Sequence, residues 1–195
     1  MGIKLRTLAA VAGLALTSSL LSACVGKDAV DQSGGVYRFV TGNGSGSLIP
    51  IAKRHKAGDV TGSLLNGGTF KLSSDLGKVT VVNFWATWCG PCTVETPQFD
   101  SVYREYKNRG VTFVGIDTKE ADRDAPRSFV AENHISYPIV FDENGDTAIE
   151  LGNIPQQGLP FTVLIDKHGR VAAVYLTKLA PTDLTPVLQK LIAET

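Results

Sequence analysis

The sequence predicts a three-layer α/β domain, and three observations carry this prediction. Short apolar, β-branched runs alternate with stretches of helical spacing, which is the pattern of a sheet covered by helices. The last two predicted strands are joined by a tight turn and followed by one helix. The chain has 195 residues and 43% hydrophobic side chains, so it can bury one hydrophobic core.

The predicted elements follow one another with short connections. The strands are expected at residues 37–40, 60–65, 69–72, 79–84, 111–116, 137–141, 161–165 and 170–175. The helices are expected at residues 91–108, 125–133, 147–151 and from about 182 to 193. The sheet is therefore mainly parallel, with a hairpin at each end of the domain sequence.

Turn and capping residues justify these boundaries. Asn66-Gly67-Gly68 lies between two short strand patterns and favours a β-hairpin. Gly110 ends the first long helix, and Asp124 is expected to cap the second. Thr182 or Asp183 is expected to cap the last helix. That helix places four apolar residues on its inner face: Leu184, Val187, Leu188 and Leu191.

The first residues have the composition of an export signal. Lys4 and Arg6 precede an apolar run over 8–21, which is shorter than a typical membrane-spanning helix. Leu21-Ser22-Ala23-Cys24 resembles a bacterial lipobox, in which the cysteine becomes the lipidated first residue. The apolar run alone leaves open an ordinary secretory signal or an uncleaved anchor. The resemblance favours lipidation of Cys24 and a protein on the outer face of the bacterial cell membrane.

These features divide the chain into three parts. Residues 1–23 are expected to be a lipoprotein signal peptide, residues 24–57 lipidated Cys24 with a flexible tether, and residues 58–195 the folded domain. The tether is rich in glycine and serine, and its basic run Lys53-Arg54-His55-Lys56 is more typical of a solvated linker than of a lipid-headgroup contact.

Charge excludes one class of function. Lys and Arg together number 19, as do Asp and Glu, so the formal net charge is zero. A nucleic-acid surface would need clustered basic residues, and none of the runs supplies one. The sequence predicts no nucleic-acid partner.

Trp88-Cys89-Gly90-Pro91-Cys92 is the most informative motif. It follows an apolar strand pattern and precedes helical spacing, with Pro91 suited to a first helical turn. Cys89 should therefore lie at a helix N-terminus, where the backbone N–H groups favour a thiolate. The two cysteines can close a small disulfide and reopen it, which indicates redox chemistry.

Other uses of the motif fit less well. A zinc site usually needs four ligands, and the chain has three cysteines, of which Cys24 is remote. Covalent haem attachment needs a histidine after the second cysteine, where this chain has Thr93. A purely structural disulfide across so short a loop constrains the unfolded chain little. We therefore expect neither a metal nor a cofactor.

The order of motifs resembles the thioredoxin superfamily, in particular its extracytoplasmic TlpA/ResA branch. The resemblance rests on Asn83-Phe-Trp-Ala-Thr-Trp-Cys89, on Glu95-x-Pro97, and on Gly158-Leu-Pro-Phe-Thr-Val-Leu-Ile-Asp166. A strand-helix insert over about 118–150 belongs to the same pattern. The resemblance covers about residues 58–194. It implies a thioredoxin-like three-layer fold with an N-terminal β-hairpin and a central strand-helix insert.

The resemblance also implies roles for individual residues. Cys89 would attack a target disulfide, and Cys92 would resolve the mixed disulfide. Glu95 would handle the proton of Cys92, because Asn83 replaces the titratable aspartate of thioredoxin itself. An exposed glutamate in a first helical turn is the plainer interpretation of Glu95, and burial would be needed to raise its pKa.

Three further residues would bind the substrate. Pro160 matches the cis-proline of the family, although cis bonds are uncommon in general. Leu159 would pair with an extended substrate backbone, and Trp88 would pack beside the disulfide on the docking surface. Trp85 is expected in the core.

The implied function is reduction of protein disulfides in cytochrome c maturation. The substrate would be oxidised apocytochrome c, and the electron donor a membrane thiol transporter of the CcdA type. The alternatives are a disulfide-introducing oxidant, a peroxidase, and a haem- or metal-binding module using His55, His134 or His168. Peroxiredoxins carry threonine where this chain has Ala86, and the histidines lack ligand spacing.

Overall fold

The computed structural model describes residues 39–40, 48–152, 154 and 158–195. The predicted signal peptide, Cys24 and most of the predicted tether lie outside these residues. Within the described part of the chain, no helix has both the length and the hydropathy needed to cross a membrane.

A mixed sheet of six strands forms the middle layer, and two further strands form a separate hairpin. In chain order the strands are β1 (Phe39–Val40), β2 (Thr61–Ser63), β3 (Thr69–Lys71), β4 (Val79–Trp85), β5 (Val111–Thr118), β6 (Ile139–Asp142), β7 (Phe161–Ile165) and β8 (Val171–Tyr175). The spatial order in the large sheet is β1-β8-β7-β4-β5-β6. Only β7 runs antiparallel to its neighbours, so β4, β5, β6 and β8 all end at the same edge.

Helices cover both faces of this sheet. They are α1 (Gly90–Tyr106), α2 (Asp124–Glu132), α3 (Thr147–Gly152) and α4 (Pro181–Ala193). One buried apolar cluster joins the sheet to α1, α2 and α4, and a second joins the other face to α3 and the β2–β3 hairpin. The predicted three-layer α/β fold is confirmed, with α2, β6 and α3 forming the insert.

The strands and helices lie close to their predicted positions. The β2–β3 turn uses Gly67 and Gly68 with φ of 94° and 88°, a region that favours glycine. The inner face of α4 is buried as expected. The backbone of β1 pairs with β8 at one side of the sheet, in agreement with the expected edge strand.

Two helix caps differ from the prediction. Asp124 is not the cap of α2 but its first residue, and its N–H donates to Oδ1 of Asp122 at 2.8 Å. The last helix begins one residue before Thr182, and Asp183 lies in its first turn. There Oδ2 of Asp183 accepts from the N–H of Ala180 at 2.9 Å. Asp124 thus lies one position after the observed cap of α2, Arg123, and Asp183 lies three positions after the observed cap of α4, Ala180.

The folded unit begins before residue 58, which corrects the expected boundary of the tether. Ile49 is buried, and its N–H donates to the carbonyl of Ala172 in β8 at 2.8 Å. Residues 55 and 57 also bond to the backbone of the β7–β8 hairpin. Residues 48–57 therefore pack along the sheet and are part of the domain.

Arg54 is the main polar contact of this segment. Its Nη1 lies 3.1 Å from Oδ2 of Asp166, and its Nη2 donates to Oε1 of Glu194 at 2.7 Å. Its Nε donates to the carbonyl of Ile49 at 2.8 Å. The prediction of a solvated linker is wrong for Arg54, because its guanidinium is buried and its hydrogen bonds connect the segment to the end of α4.

Candidate redox site

The site forms where β4 ends and α1 begins. Cys89 is the residue before α1, and its carbonyl accepts from the N–H of Cys92 at 3.0 Å. Cys89 and Cys92 are joined as a disulfide. Cys92 is fully buried, whereas Cys89 is 6% exposed, so Cys89 is the cysteine that an external thiol or disulfide can reach. The strand-turn-helix arrangement expected for the motif is confirmed.

Two contacts from the loop after β5 hold the turn that carries the cysteines. The N–H and Oγ1 of Thr87 both donate to Oε1 of Glu120, at 2.5 and 2.6 Å. The indole Nε1 of Trp88 donates to the carbonyl of Lys119 at 3.2 Å. These contacts fix the loop while the Trp88 ring stays 60% exposed, as a docking residue would require. Trp85 is fully buried, as expected.

Pro160 lies at the same edge of the sheet. The Leu159–Pro160 peptide bond is cis, as the resemblance predicts. It directly precedes β7, whose first residue Phe161 is paired with Phe84 of β4. Because β7 runs antiparallel to β4, the start of β7 lies beside the end of β4 and so near the cysteine loop.

A small groove separates the cysteine loop from the proline loop. It has a volume of about 140 Å³ and is lined mainly by Phe84, Trp88, Lys119, Leu159 and Phe161. The rings of Phe84 and Phe161 stack at 4.1 Å between centroids and form its apolar floor. Trp88 and Leu159, the two residues that the resemblance assigns to substrate binding, therefore border one groove.

Glu95 is fully buried one helical turn after Cys92, so the exposed-glutamate interpretation does not hold. Its Oε1 accepts from the N–H of Leu179 at 2.6 Å, and its Oε2 from Nδ2 of Asn83 at 2.8 Å. Burial raises the pKa of Glu95 to about 7, although both hydrogen bonds and the charge of Lys178 act in the opposite direction. A carboxyl group with this pKa can both accept and release a proton near neutral pH.

Sequence reasoning missed a second buried acid near the site. Asp117 is fully buried at the end of β5, and its two carboxyl oxygens have no hydrogen-bond partner among the described residues. Burial, followed by the charges of Glu120 and Asp142, raises its pKa to about 8 against the effect of Arg123. The only signal in the sequence was an acidic residue in the last two positions of a buried parallel strand.

The predicted site residues thus fall into two groups. Cys89, Cys92, Glu95, Trp88 and the Leu159–Pro160 pair meet at one edge of the sheet, and Cys24 lies outside the described residues. His55, His134 and His168 are exposed and lie in different loops. In the described part of the chain, no group of three or more His, Cys, Asp or Glu side chains is arranged to hold a metal ion.

The chain is similar to known proteins in sequence and in fold. Residues 46–191 match the Redoxin family, and the match begins near the corrected start of the domain. The thiol-disulfide oxidoreductase ResA of Bacillus thuringiensis subsp. konkukian (strain 97-27) is 37% identical over 107 residues, which are 55% of this chain and 60% of ResA. The chain thus spans about 60% of the length of that relative. ResA of Geobacillus thermodenitrificans is 30% identical over 141 residues, which cover 72% of this chain and 79% of the relative.

The chain is also similar to a solved structure of a thiol-disulfide isomerase. The secreted thiol-disulfide isomerase of Corynebacterium glutamicum superimposes with a TM-score of 0.72 at 31% identity, covering 76% of this chain and 92% of that one. Fold, site geometry and sequence therefore agree, and the chain belongs to the Redoxin family as a ResA-like member of the thioredoxin superfamily.

Proposed function

We propose that the protein is an extracytoplasmic thiol-disulfide oxidoreductase that reduces disulfides in other proteins. The observation that carries the proposal is the Cys89–Cys92 disulfide at the start of α1, with a cis proline at the same edge of the sheet and a buried glutamate one helical turn after Cys92. The first half of the reaction uses Cys89, the more accessible of the two cysteines. The Cys89 thiolate attacks one sulfur of the substrate disulfide, and the other substrate sulfur leaves as a thiolate.

The second half of the reaction uses the buried residues Cys92 and Glu95. The Cys92 thiol passes its proton to the Glu95 carboxylate, and the resulting thiolate attacks the sulfur of Cys89. The bond between Cys89 and the substrate breaks, and the second substrate thiolate leaves. The substrate has then gained two electrons, the enzyme is oxidised to the Cys89–Cys92 disulfide, and Glu95 returns its proton to the leaving thiolate or to water.

Binding of an extended substrate would use the groove beside Cys89. The backbone of Leu159 is the proposed partner for strand addition, and Trp88 the proposed apolar contact. The groove volume of about 140 Å³ suits one side chain of the substrate, and the stacked rings below it favour an apolar one.

The reducing direction is proposed from the residues between the cysteines. Gly90-Pro91 is the pair found in thioredoxin, whose potential is roughly −270 mV, whereas the oxidant DsbA lies near roughly −120 mV. The reduction potential of the Cys89/Cys92 pair tests this in the Cys24→Ala protein, equilibrated in defined thiol buffers. A value below roughly −220 mV supports a reductase, and a value above roughly −150 mV favours the alternative, a disulfide-introducing oxidant for exported proteins.

The substrate, donor and anchor follow from the TlpA/ResA resemblance. Oxidised apocytochrome c is the proposed substrate, and a membrane thiol transporter of the CcdA type is the proposed donor. A strain lacking the protein should lose c-type cytochromes and regain them with the wild-type chain but not with Cys92→Ser. Lipidation of Cys24 would hold the domain at the outer face of the cell membrane, and Cys24→Ala should move it to the soluble fraction.

Glu95→Gln separates the two halves of the reaction. The variant should form the mixed disulfide at an unchanged rate, because Cys89 performs that step. Resolution should slow on the order of 100-fold, the lower end of general acid-base effects. Stopped-flow measurements of both steps check this, with Glu105→Gln on the exposed side of α1 as the control. Equal resolution rates in the two variants would remove Glu95 from the mechanism.

A further inference from the structure

The loop between β5 and α2 contacts the cysteine loop through two neighbouring residues, Lys119 and Glu120. Glu120 is 8% exposed, and its Oε1 accepts from the N–H and from Oγ1 of Thr87, at 2.5 and 2.6 Å. The carbonyl of Lys119 accepts from the indole Nε1 of Trp88 at 3.2 Å. The residues of each pair are consecutive in the chain, so the two loops are joined at two adjacent positions just before Cys89.

The buried carboxylate of Glu120 depends on the cysteine loop for its hydrogen bonds. In the described part of the chain it forms no ion pair with a Lys or Arg side chain, and both of its hydrogen bonds come from Thr87. A backbone N–H only donates and an ionised carboxylate only accepts, so the direction of this contact is fixed. Movement of Thr87 would leave a buried charge without partners, and Thr87 is therefore held firmly.

Lys119 has a backbone conformation that its surroundings must maintain. Its φ is 59°, in the left-handed region that residues other than glycine adopt at a cost in free energy. Its N–H donates to the carbonyl of Asp142 in β6 at 3.0 Å, while its carbonyl accepts from Trp88. Such conformations persist where several contacts determine them, and they are concentrated at functional sites.

These contacts determine one side of the groove beside the disulfide. In the sheet, β4 lies between β7 and β5. The groove therefore has Leu159 on the side of β7 and Lys119 on the side of β5, with Phe84 of β4 between them. Trp88 is held on the β5 side by its bond to Lys119. A ring released from Lys119 would turn into the groove or away from it, and the groove would lose its shape in both cases.

We propose that Glu120 is a positioning residue for substrate binding. By holding Thr87 it keeps the Trp88 ring against Lys119, and so keeps the groove open for one side chain of the substrate. The inference rests on the proposed function, because it needs a peptide substrate in the groove. The effect of Glu120 is on the binding of that peptide, which separates its role from the proton transfer assigned to Glu95.

Other charged groups lie near this contact. Asp117 interacts with the charge of Glu120, and the charges of Asp142 and Arg123 also act on Asp117. None of these three residues is changed in the variants below, and all measurements are made at one pH. Differences between the variants can therefore be assigned to the contact between Glu120 and Thr87.

The first test measures the mobility of the Trp88 ring by relaxation of its labelled indole N–H, in the full-length oxidised chain in detergent. The chain has two tryptophans, and the buried Trp85 is the internal reference. Glu120→Ala should lower the order parameter of the Trp88 indole by roughly 0.2, the difference between rigid and flexible segments. Glu120→Gln should remain close to wild type, because its amide oxygen can still accept from Thr87.

Two further comparisons keep this test independent of how well Glu120→Ala folds. Thr87→Val removes the hydroxyl bond and keeps the backbone bond, so the order parameter of Trp88 should fall by less than in Glu120→Ala. Thr87→Ser keeps both bonds and should match wild type. Asp122→Ala is the matched control, because it removes an exposed carboxylate of the same loop that accepts from the N–H of Asp124 and not from the cysteine loop.

The second test compares two disulfides that react with the reduced protein. One is an oxidised cyclic Cys-x-x-Cys peptide with a leucine before its first cysteine, and the other is 2-hydroxyethyl disulfide, which has no side chain to place in the groove. The ratio of their second-order rate constants, peptide to small disulfide, should fall about 10-fold in Glu120→Ala, the effect of one charged hydrogen bond. It should stay within about 2-fold of wild type in Asp122→Ala.

The ratio separates positioning from a general weakening of the fold. A less stable fold, or a change in the reactivity of the Cys89 thiolate, would alter both rate constants alike. An unchanged order parameter of Trp88 in Glu120→Ala overturns the proposal, and so does a lower order parameter with an unchanged ratio. The relaxation measurement needs no exchange reaction. A wild-type protein that reacts with neither disulfide would contradict the proposed function, while a lower order parameter in Glu120→Ala would still support the positioning of Trp88 by Glu120.

Discussion

Two buried carboxylates lie at opposite ends of the central sheet, and their environments differ. Glu95 is at the end of β4 where the cysteines lie, and its hydrogen-bond donors, Leu179 and Asn83, are neutral. Asp166 follows β7 at the other end and contacts the guanidinium groups of Arg54 and Arg170. Glu95 is 0% exposed and Asp166 2%, so the partners, more than the degree of burial, distinguish them.

The pKa values respond in opposite directions. Burial raises the pKa of both groups, and for Glu95 it prevails. For Asp166 the N–H of Arg170 and the guanidinium groups of Arg54 and Arg170 outweigh burial and hold its pKa below the ordinary value. A buried carboxylate without a contacting cation can exchange protons near neutral pH, whereas one with two cations serves to hold chain segments together.

The largest expected effect is at the structural end. Arg54→Met leaves Glu194 without its guanidinium partner and Asp166 with Arg170 alone, and should lower the free energy of unfolding by about 3 kcal/mol. Chemical denaturation of the oxidised protein measures this. Lys71→Met, which breaks the exposed pair with Asp59, is the control and should cost much less than Arg54→Met, because exposed ion pairs contribute little to stability. Similar losses of unfolding free energy in the two variants would mean that the buried ion pairs of Arg54 stabilise the fold no more than an exposed pair does.

The pH dependence of stability should separate the two carboxylates. Folded Glu95 holds its proton up to a pKa of about 7, against 4.5 in the unfolded chain, so the folded state binds more protons between these values. Stability from this group is therefore present below pH 4.5 and is lost as pH rises to about 7. The loss relative to Glu95→Gln should be roughly 3 kcal/mol.

Asp166 should behave in the opposite way. Its folded pKa is lowered, so its contribution is present above an unfolded value of 3.8 and is lost as pH falls through the folded pKa. Denaturation at a series of pH values measures the free energy of unfolding of wild type, Glu95→Gln and Asp166→Asn. The difference between each variant and wild type gives the pH-dependent contribution of that carboxylate. Glu105→Gln, at an exposed position of α1, is the control for the loss of a carboxylate as such. Parallel curves for wild type and Glu95→Gln would mean that Glu95 titrates normally.

The smallest expected effect comes from Lys178. Its charge lowers the pKa of Glu95, but the side chain is exposed and screened by salt. Lys178→Met should raise the pKa of Glu95 by a few tenths of a unit, as measured by carboxyl NMR. Raising the salt concentration on the wild-type protein should shift the value in the same direction. A shift as large as a full unit would make Lys178 a true ion-pair partner and weaken the contrast with Asp166.

Local patterns predicted most of the fold and the position of the chemistry. Three features depend only on residues that are close together in sequence: the strand before Cys89, Pro91 in the first turn of α1, and the glycines of the β2–β3 turn. They can therefore be recognised from the sequence alone. The proline loop and the role of Glu95 were expected from resemblance. The structure adds the burial that the interpretation of Glu95 required.

Contacts between distant residues were not predictable in this way. The local pattern placed Arg54 in a solvated basic run because its partners, Asp166 and Glu194, are 112 and 140 residues away. The donor to Oε1 of Glu95 is a backbone N–H, that of Leu179, which no side-chain pattern marks. The burial of Asp117 likewise depends on packing across β5 and not on its neighbours in sequence.

Short segments of the chain cover the outward sides of β8 and β6, which restricts where an unfolded polypeptide can pair with the sheet. Ile49 and His55 bond to the backbone of β8, and the N–H of Leu65 bonds to Ile139 of β6 at 2.8 Å. Exposed strand edges are templates for unwanted pairing between chains. Under the proposed function the domain would meet many extended, partly folded chains, and their pairing with β8 or β6 at these positions would have to displace contacts already made. Strand addition would then be directed to the proposed binding site at the proline loop, which would protect the domain from aggregating with its proposed substrates.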